Sequence, residues 1–257
     1  MRAPVNTIAA PLFPRNLPWV NTPAGGQVSI IQRDRPLLVE FWDFCRPNSM
    51  RTLPYVKAWH ERYAEDGLRV VGVHCPGFEL SRDEDAVRRA VARLGIEHPV
   101  VIDSELELWR EYENEGWPAR YLFDGGARLF EYHFGEGGYE ETERAIQELL
   151  GVERETLEPL RPEDRPGVAL APPTSDQPGA YSGPYEAGAV WAVLGGVGTV
   201  RVNGGSAAGG HELSVEHPGA YALIEHERHT TGVLELELGE GVQCLATCFT
   251  PGVAAAA

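Results

Sequence analysis

Two runs of the sequence, "PLLVEF" from Pro36 and "LRVVGVH" from Leu68, are apolar almost without interruption over the length of a strand. A strand with one wet face alternates apolar and polar residues. A run without alternation belongs to a strand covered on both faces, as in a parallel sheet between two layers of helices. The residues around the two runs supply those helices. Tyr55, Val56, Trp59 and Tyr63 recur at helical spacing. "SRDEDAVRRAVARLG" opens with a capping box, Ser81 and Glu84, sets Ala86, Val87, Ala90, Val91 and Leu94 on one face, and stops at Gly95. "HPVVID" reads as a strand and "SELELWREYEN" as a short helix. "ARYLFD" and "RLFEYHF", joined by "GGA", read as a hairpin, and "YEETERAIQELLG" as an amphipathic helix ending at Gly151. Strands alternating with helices make residues 35–151 an α/β domain with a sheet covered on both sides.

The flanks follow other rules. Residues 1–34 are Pro- and Gly-rich and read as an irregular lead-in, with "QVSII" as an edge strand. Residues 152–185 are Pro-rich and aperiodic, the pattern of a linker. From residue 186 the period becomes two. "AVWAVL", "GTVRVNG", "HELSVE", "AYALIEH", "VLELELG" and "VQCLATCF" are short strands separated by Gly, Asn and Pro. They predict a small all-β domain over 186–252, a sandwich or jelly roll, and the closing "AAAA" is expected to be disordered.

A chain of 257 residues is long enough for these two domains, each with a core. Its formal charge of -16, with no cluster of Lys and Arg, argues against nucleic acid and acidic membrane surfaces as partners. Prolines near the N-terminus stand where a signal peptide needs an apolar core, and no stretch approaches the length of a membrane span. Four cysteines, Cys45, Cys75, Cys244 and Cys248, are too few and scattered for a disulfide-rich secreted scaffold. The expectation is a cytoplasmic protein.

The stretch "LLVEFWDFCRPNSMRTLPYV" joins the first buried strand to the first helix. Together with the order strand, helix, strand, helix, hairpin, helix, it resembles the thioredoxin-like superfamily. The likeness is to the TlpA- and DipZ-type redoxins, which are thiol-disulfide oxidoreductases. In those proteins "FW" is followed three residues later by Cys-x-x-Cys, with a proline five residues beyond the second cysteine. Phe41-Trp42 and Pro54 hold that frame, and "RTLPYVKAWHERY", "GVH" at 72, "WPARYLFD" at 117 and "HFGEGGYEETERAIQELL" extend the likeness over about residues 10–151. The later β segments resemble, more weakly, the β-sandwich that follows the thioredoxin domain in DipZ-type proteins and is similar to carbohydrate-binding modules. The expectation is a likeness to the soluble part of such a protein, without its membrane-embedded electron-transfer segment.

In that frame the two cysteine positions hold Arg46 and Ser49. A dithiol cycle needs an attacking thiolate and a resolving thiol, so ordinary disulfide exchange is not expected. Cys45 stands one residue earlier, at the mouth of the helix. The helix N-terminus and Arg46 would favour its thiolate. A single peroxidatic cysteine sits in this region in the peroxiredoxin-like (AhpC/TSA) and glutathione-peroxidase-like relatives. The competing reading is that Cys45 fills an aromatic slot and packs inertly. A buried Cys45 favours a binding protein, and an open one beside Arg46 favours chemistry. Cys75 follows the second core strand, close enough in the fold to approach Cys45. A disulfide would need Cα atoms within about 7 Å. Pro118 matches the proline that is cis in this superfamily and faces the active-site helix, leaving nearby backbone free for an extended peptide. Trp117 lines the same cleft or only packs.

The site expected from this frame is therefore Cys45, Arg46 and Cys75 for chemistry, with Ser49, Trp117 and Pro118 for substrate. A thiol or peptide partner is expected at the cleft, and a carbohydrate at the β domain in the non-catalytic alternative. No cofactor is expected. Cys244 and Cys248 share a face of one strand about 13 Å apart, too far for a disulfide. "HERH" from His226 has metal-like spacing only on a helix, and here it follows a strand in a turn. The Gly pairs at 125, 195, 204 and 209 lie in turns that do not lead from strand to helix, which gives nucleotide binding no support.

Overall fold

The two apolar runs form the centre of a six-stranded mixed sheet. The computed structural model describes residues 1–3, 7–22, 34–204 and 210–254. The "QVSII" segment, Gly209 and the end of the alanine tail lie outside the described residues.

Strand β1 (Trp19–Val20) edges the sheet. β2 (Leu37–Trp42) is buried at all six positions, and β3 (Arg69–His74) at all but its first. With β4 (Val100–Ile102), β5 (Ala119–Phe123) and β6 (Leu129–Phe134), the order is β1-β4-β3-β2-β5-β6. β2, β3 and β4 run parallel; β5 and β6 form the antiparallel hairpin. One face buries Val39, Phe41, Val71, Val73 and Tyr121 against Leu108 and Tyr112. The other buries Leu38, Val70 and Leu122 under Tyr55, Val56, Trp59 and Tyr63 of helix α1 (Pro47–Tyr63), with Ala145 and Ile146 of the later amphipathic helix.

Helix ends follow local chemistry. Pro47 opens α1, where its fixed φ suits the helix and its missing N–H would have had no partner. Helix α2 (Glu84–Arg93) is capped by Asp83, whose Oδ1 accepts the Ala86 N–H at 2.7 Å. The expected cap, Ser81, instead lies in a 3-10 turn and donates to the Phe78 carbonyl, so the helix starts two residues later than the Ser81 box implied. Helix α3 (Glu107–Glu111) is short, and α4 (Tyr139–Leu150) ends at Gly151 with φ +66°, a left-handed conformation that glycine adopts freely.

The chain divides into two compact units: Met1–Phe44 with Asn48–Glu158, and Cys45–Pro47 with Pro159–Ala257. The second is β-rich and begins well before residue 186. Within the stretch expected to be a linker, β7 (Leu170–Ala171) pairs with β14 (Gly252–Val253), and β8 (Gln177–Pro178) pairs with β13 (Val242–Thr250). Prolines suppress periodicity there without freeing the backbone. β9 (Gly183–Gly196), β10 (Gly198–Asn203), β11 (His211–Val215) and β12 (Gly219–Leu238) complete a sheet ordered β11-β10-β12-β9-β13-β8. "AYALIEH" and "VLELELG", expected as separate strands, are one strand. Residues 226–229 are an irregularity within it, where the register against β9 jumps between Glu225 and Thr230. "HERH" is thus an insertion in a strand, not a turn after one.

Candidate active site

Parallel pairing of β2 with β3 sets Trp42 beside His74 at the carboxyl edge of the sheet. The residues just past that edge build the site. Asp43 is fully buried; its Oδ2 accepts the Gly77 N–H at 2.8 Å, and its Oδ1 lies 3.6 Å from His74 Nε2. His74 is held between Trp42, edge-on at 5.1 Å, and Phe44, stacked at 5.2 Å. Ser49, in the first turn of α1, is fully buried, and its Oγ accepts the Asp43 N–H at 3.2 Å. That bond closes the loop carrying Cys45 and Arg46. Cys45 is 0% exposed and Arg46 is half-buried.

Cys75 stands at the end of β3. Its thiol donates to Asp103 Oδ2 at 3.3 Å, and burial first, then the Asp103 carboxylate, pushes its pKa well up. A thiol so placed is kept protonated, the reverse of what a nucleophile needs. Asp103 also accepts the N–H groups of Glu107 (2.6 Å) and Trp109 (2.9 Å), satisfying donors at the start of α3. Trp117 Nε1 donates to the Cys75 carbonyl at 2.9 Å, and its ring lies 4.2 Å from that of Trp109. The Trp117–Pro118 peptide bond is cis. The fold therefore brings Cys75, Trp117 and Pro118 together, with Cys45 and Arg46 on the loop before α1 and Ser49 in the first turn of α1. No disulfide joins Cys45 to Cys75.

Cys244 and Cys248 sit differently from their spacing. A bulge between Cys244 and Ala246 inverts the alternation of β13. Cys244 packs with Val242 on the core face, whereas Cys248 pairs with Trp191 on the other. The expectation of a shared face fails because one extra residue shifts the period. Burial raises the pKa of both, Cys248 to about 12 with a further contribution from Asp176.

Strands β2 and β5 also carry a buried pair that motif spacing does not single out. Glu40, in the middle of β2, is fully buried, and neither carboxylate oxygen has a hydrogen-bond partner among the described residues. It is directly opposite Arg120 on β5. Burial pushes the Glu40 carboxyl up to about 8 against the opposing pull of Arg120, so it holds a proton at neutral pH. Arg120 is itself buried, its guanidinium 4.9 Å from the Tyr139 ring centre and 5.7 Å from that of Trp59. The signal was present: Glu40 is the one charged residue inside "PLLVEF", and His74 and Asp103 are the polar ends of their own strands.

Comparison with known proteins agrees with this geometry. No family model matches the chain. The chain is 33% identical over 158 residues to "Protein DipZ" of Mycobacterium tuberculosis, a match covering 61% of this chain and 21% of DipZ. It thus spans about a fifth of that relative. It is 30% identical over 134 residues to "Thiol-disulfide oxidoreductase YkuV" of Bacillus subtilis, covering 51% of this chain and 87% of YkuV. The chain belongs to the TlpA/DipZ-type redoxins. Among solved structures, a thioredoxin-like superfamily protein superposes with a TM-score of 0.51 at 20% identity, over 58% of this redoxin and all of the other chain, a likeness of fold. The match to YkuV covers about half of this redoxin.

Proposed function

We propose that this redoxin, of thiol-disulfide oxidoreductase descent, has given up the two-sulfur cycle and works through one thiol, Cys45. The supporting observation is positional: Cys45 is the sole cysteine on the loop between β2 and α1; in this reading Arg46 and Ser49 stand in for the two motif cysteines. In this reading the Cys45 thiolate attacks a peroxide oxygen. The S–O bond forms, the O–O bond breaks, and the leaving oxygen takes a proton to become water or an alcohol. The sulfenic acid then condenses with a partner thiol, releasing water and leaving a mixed disulfide that a second thiol reduces. Because Cys45 is fully buried, the cycle requires the loop to open. The reading includes a cytoplasmic setting, where partner thiols are plentiful.

The burial of Cys45 supports a second reading, a non-catalytic binding protein. Its peptide would lie along the cleft at Trp117 and Pro118. Its glycan would occupy the β-rich unit, read as a sandwich, where a cavity of about 680 Å³ is lined by Tyr185, Glu225, His226, Arg228 and Thr231.

Iodoacetamide labelling across a pH series, read by mass spectrometry, separates the two. Under the single-thiol reading Cys45 labels fastest of the four cysteines, remains reactive below neutral pH, and is converted to a sulfenic acid by hydrogen peroxide. Labelling of Cys45 only on unfolding rejects the enzyme. The wild type is expected to be inactive in insulin reduction with dithiothreitol, and Arg46→Cys with Ser49→Cys to recover activity. An active wild type would show that the two-sulfur cycle survives by other cysteines.

A further inference from the structure

A second cluster of chemistry-bearing side chains shares no residue with the Cys45 loop. A cavity of about 270 Å³ is lined by Lys57, His60 and Glu61 of α1 and by Gly95, Glu97 and His98 from the segment between α2 and β4. His98 is fully buried, and neither ring nitrogen has a partner among the described residues; Nδ1 of His60 is likewise buried without one. A buried imidazole with both nitrogens unused is costly unless something binds it. We propose that this cavity is a binding site for a divalent transition-metal ion of the zinc class, held by His60 and His98 and closed by the Glu97 carboxylate.

The spacing of the rings supports this. Their centres are 5.6 Å apart at an interplanar angle of 69°. Two imidazoles sharing a tetrahedral ion at metal–nitrogen distances of about 2.0–2.1 Å have ring centres roughly 5–5.5 Å apart. The backbone around His98 is fixed before any ion arrives: Asn21 Nδ2 donates to the Ile96 carbonyl at 2.6 Å and to the His98 carbonyl at 3.2 Å. On the sheet side His98 rests over Gly72, where a Cβ would stand 3.3 Å from its Nε2 and 2.9 Å from Trp42 Nε1. Glu61 and Glu97 give the mouth two carboxylates, and the single cation on the wall, Lys57, is engaged by the Leu94 carbonyl at 2.6 Å. Among the described residues no three His, Cys, Asp or Glu side chains already surround one point. In this proposal the two neighbouring imidazoles supply the first ligands, and exposed Glu97, next to His98, is the ligand that moves in.

The test uses the full chain freed of metal with a chelator, titrated with Co2+ and then with Zn2+ in competition. One equivalent of Co2+ is expected to bind, with a visible spectrum of nitrogen and oxygen ligation and no thiolate charge-transfer band. His60→Ala should weaken binding by at least about tenfold, since even outer-shell changes at metal sites cost 10–100-fold. Glu97→Gln should weaken it less. His60 is half-buried, so its variant is expected to stay folded, which circular dichroism verifies. His98→Gln is a second arm that retains a polar side chain. Three results would overturn the proposal: no saturable binding by the wild type, unchanged affinity in His60→Ala, or a thiolate band. A loss on His226→Ala but not His60→Ala would place the ion at "HERH" and also reject it.

Discussion

Glu40 carries its proton into the core, and that has a measurable cost. Its folded pKa of about 8 lies above the ordinary carboxyl value of 4.5, so between those pH values the folded state holds a proton the unfolded state has lost. Stability contributed by this proton is complete below pH 4.5 and is lost as pH rises through 8. Glu40→Gln removes the titration. Urea denaturation from pH 5 to 9 should show the wild type losing stability relative to the variant by several kcal/mol, on the order of 1.4 kcal/mol per pH unit. Parallel pH profiles would mean that Glu40 is ionised in the fold. At this scale the sequence was legible where identity sufficed. The frame from Phe41, Trp42 and Pro54 located the Cys45 loop, and Pro118 emerged as the cis residue. It was not legible where a role depends on a neighbour distant in the chain: Glu40 needs Arg120, and Cys75 needs Asp103, to mean what they mean.

Among the elements, α3 leans on a single side chain. Five residues hold too few internal bonds to be stable alone, and Asp103 satisfies two of the N–H groups at its start. Asp103→Ala is expected to cost about 1–2 kcal/mol, the range of a lost cap, as read by the denaturation midpoint. Because α3 positions Trp109 against Trp117, the same variant should change tryptophan emission before global unfolding. An unchanged spectrum with unchanged stability would show that the cap is redundant. The helices and buried strands of residues 35–151 were readable because periodicity and caps are local. The bulges were not. The one in β13 and the "HERH" insertion in β12 exist only relative to a paired strand, and no property of the residues themselves announces them.

Over the whole chain, the Pro-rich stretch is where the sequence spoke least clearly, since proline marks both linkers and strand edges. Limited proteolysis should cut first between Glu153 and Gly167 and spare residues 170–185, whose short strands pair with the end of the chain. Early cuts at 170–185 would show those pairings to be weak. The order of pairing in the β-rich unit also sets when it can form. β9 joins both β12 and β13, its Gly196 meeting Val242 and its Ala189 meeting Thr250. A strand made early must wait for partners made tens of residues later, a non-local topology that slows folding. Trp191 reports on this unit, the other tryptophans lying before residue 159. In refolding followed by fluorescence, the slower phase should lose its amplitude in Trp191→Phe while the faster one persists. During synthesis β9 therefore leaves the ribosome as an apolar strand ahead of its partners, and it stays in need of shelter until β12 and β13 have followed it out.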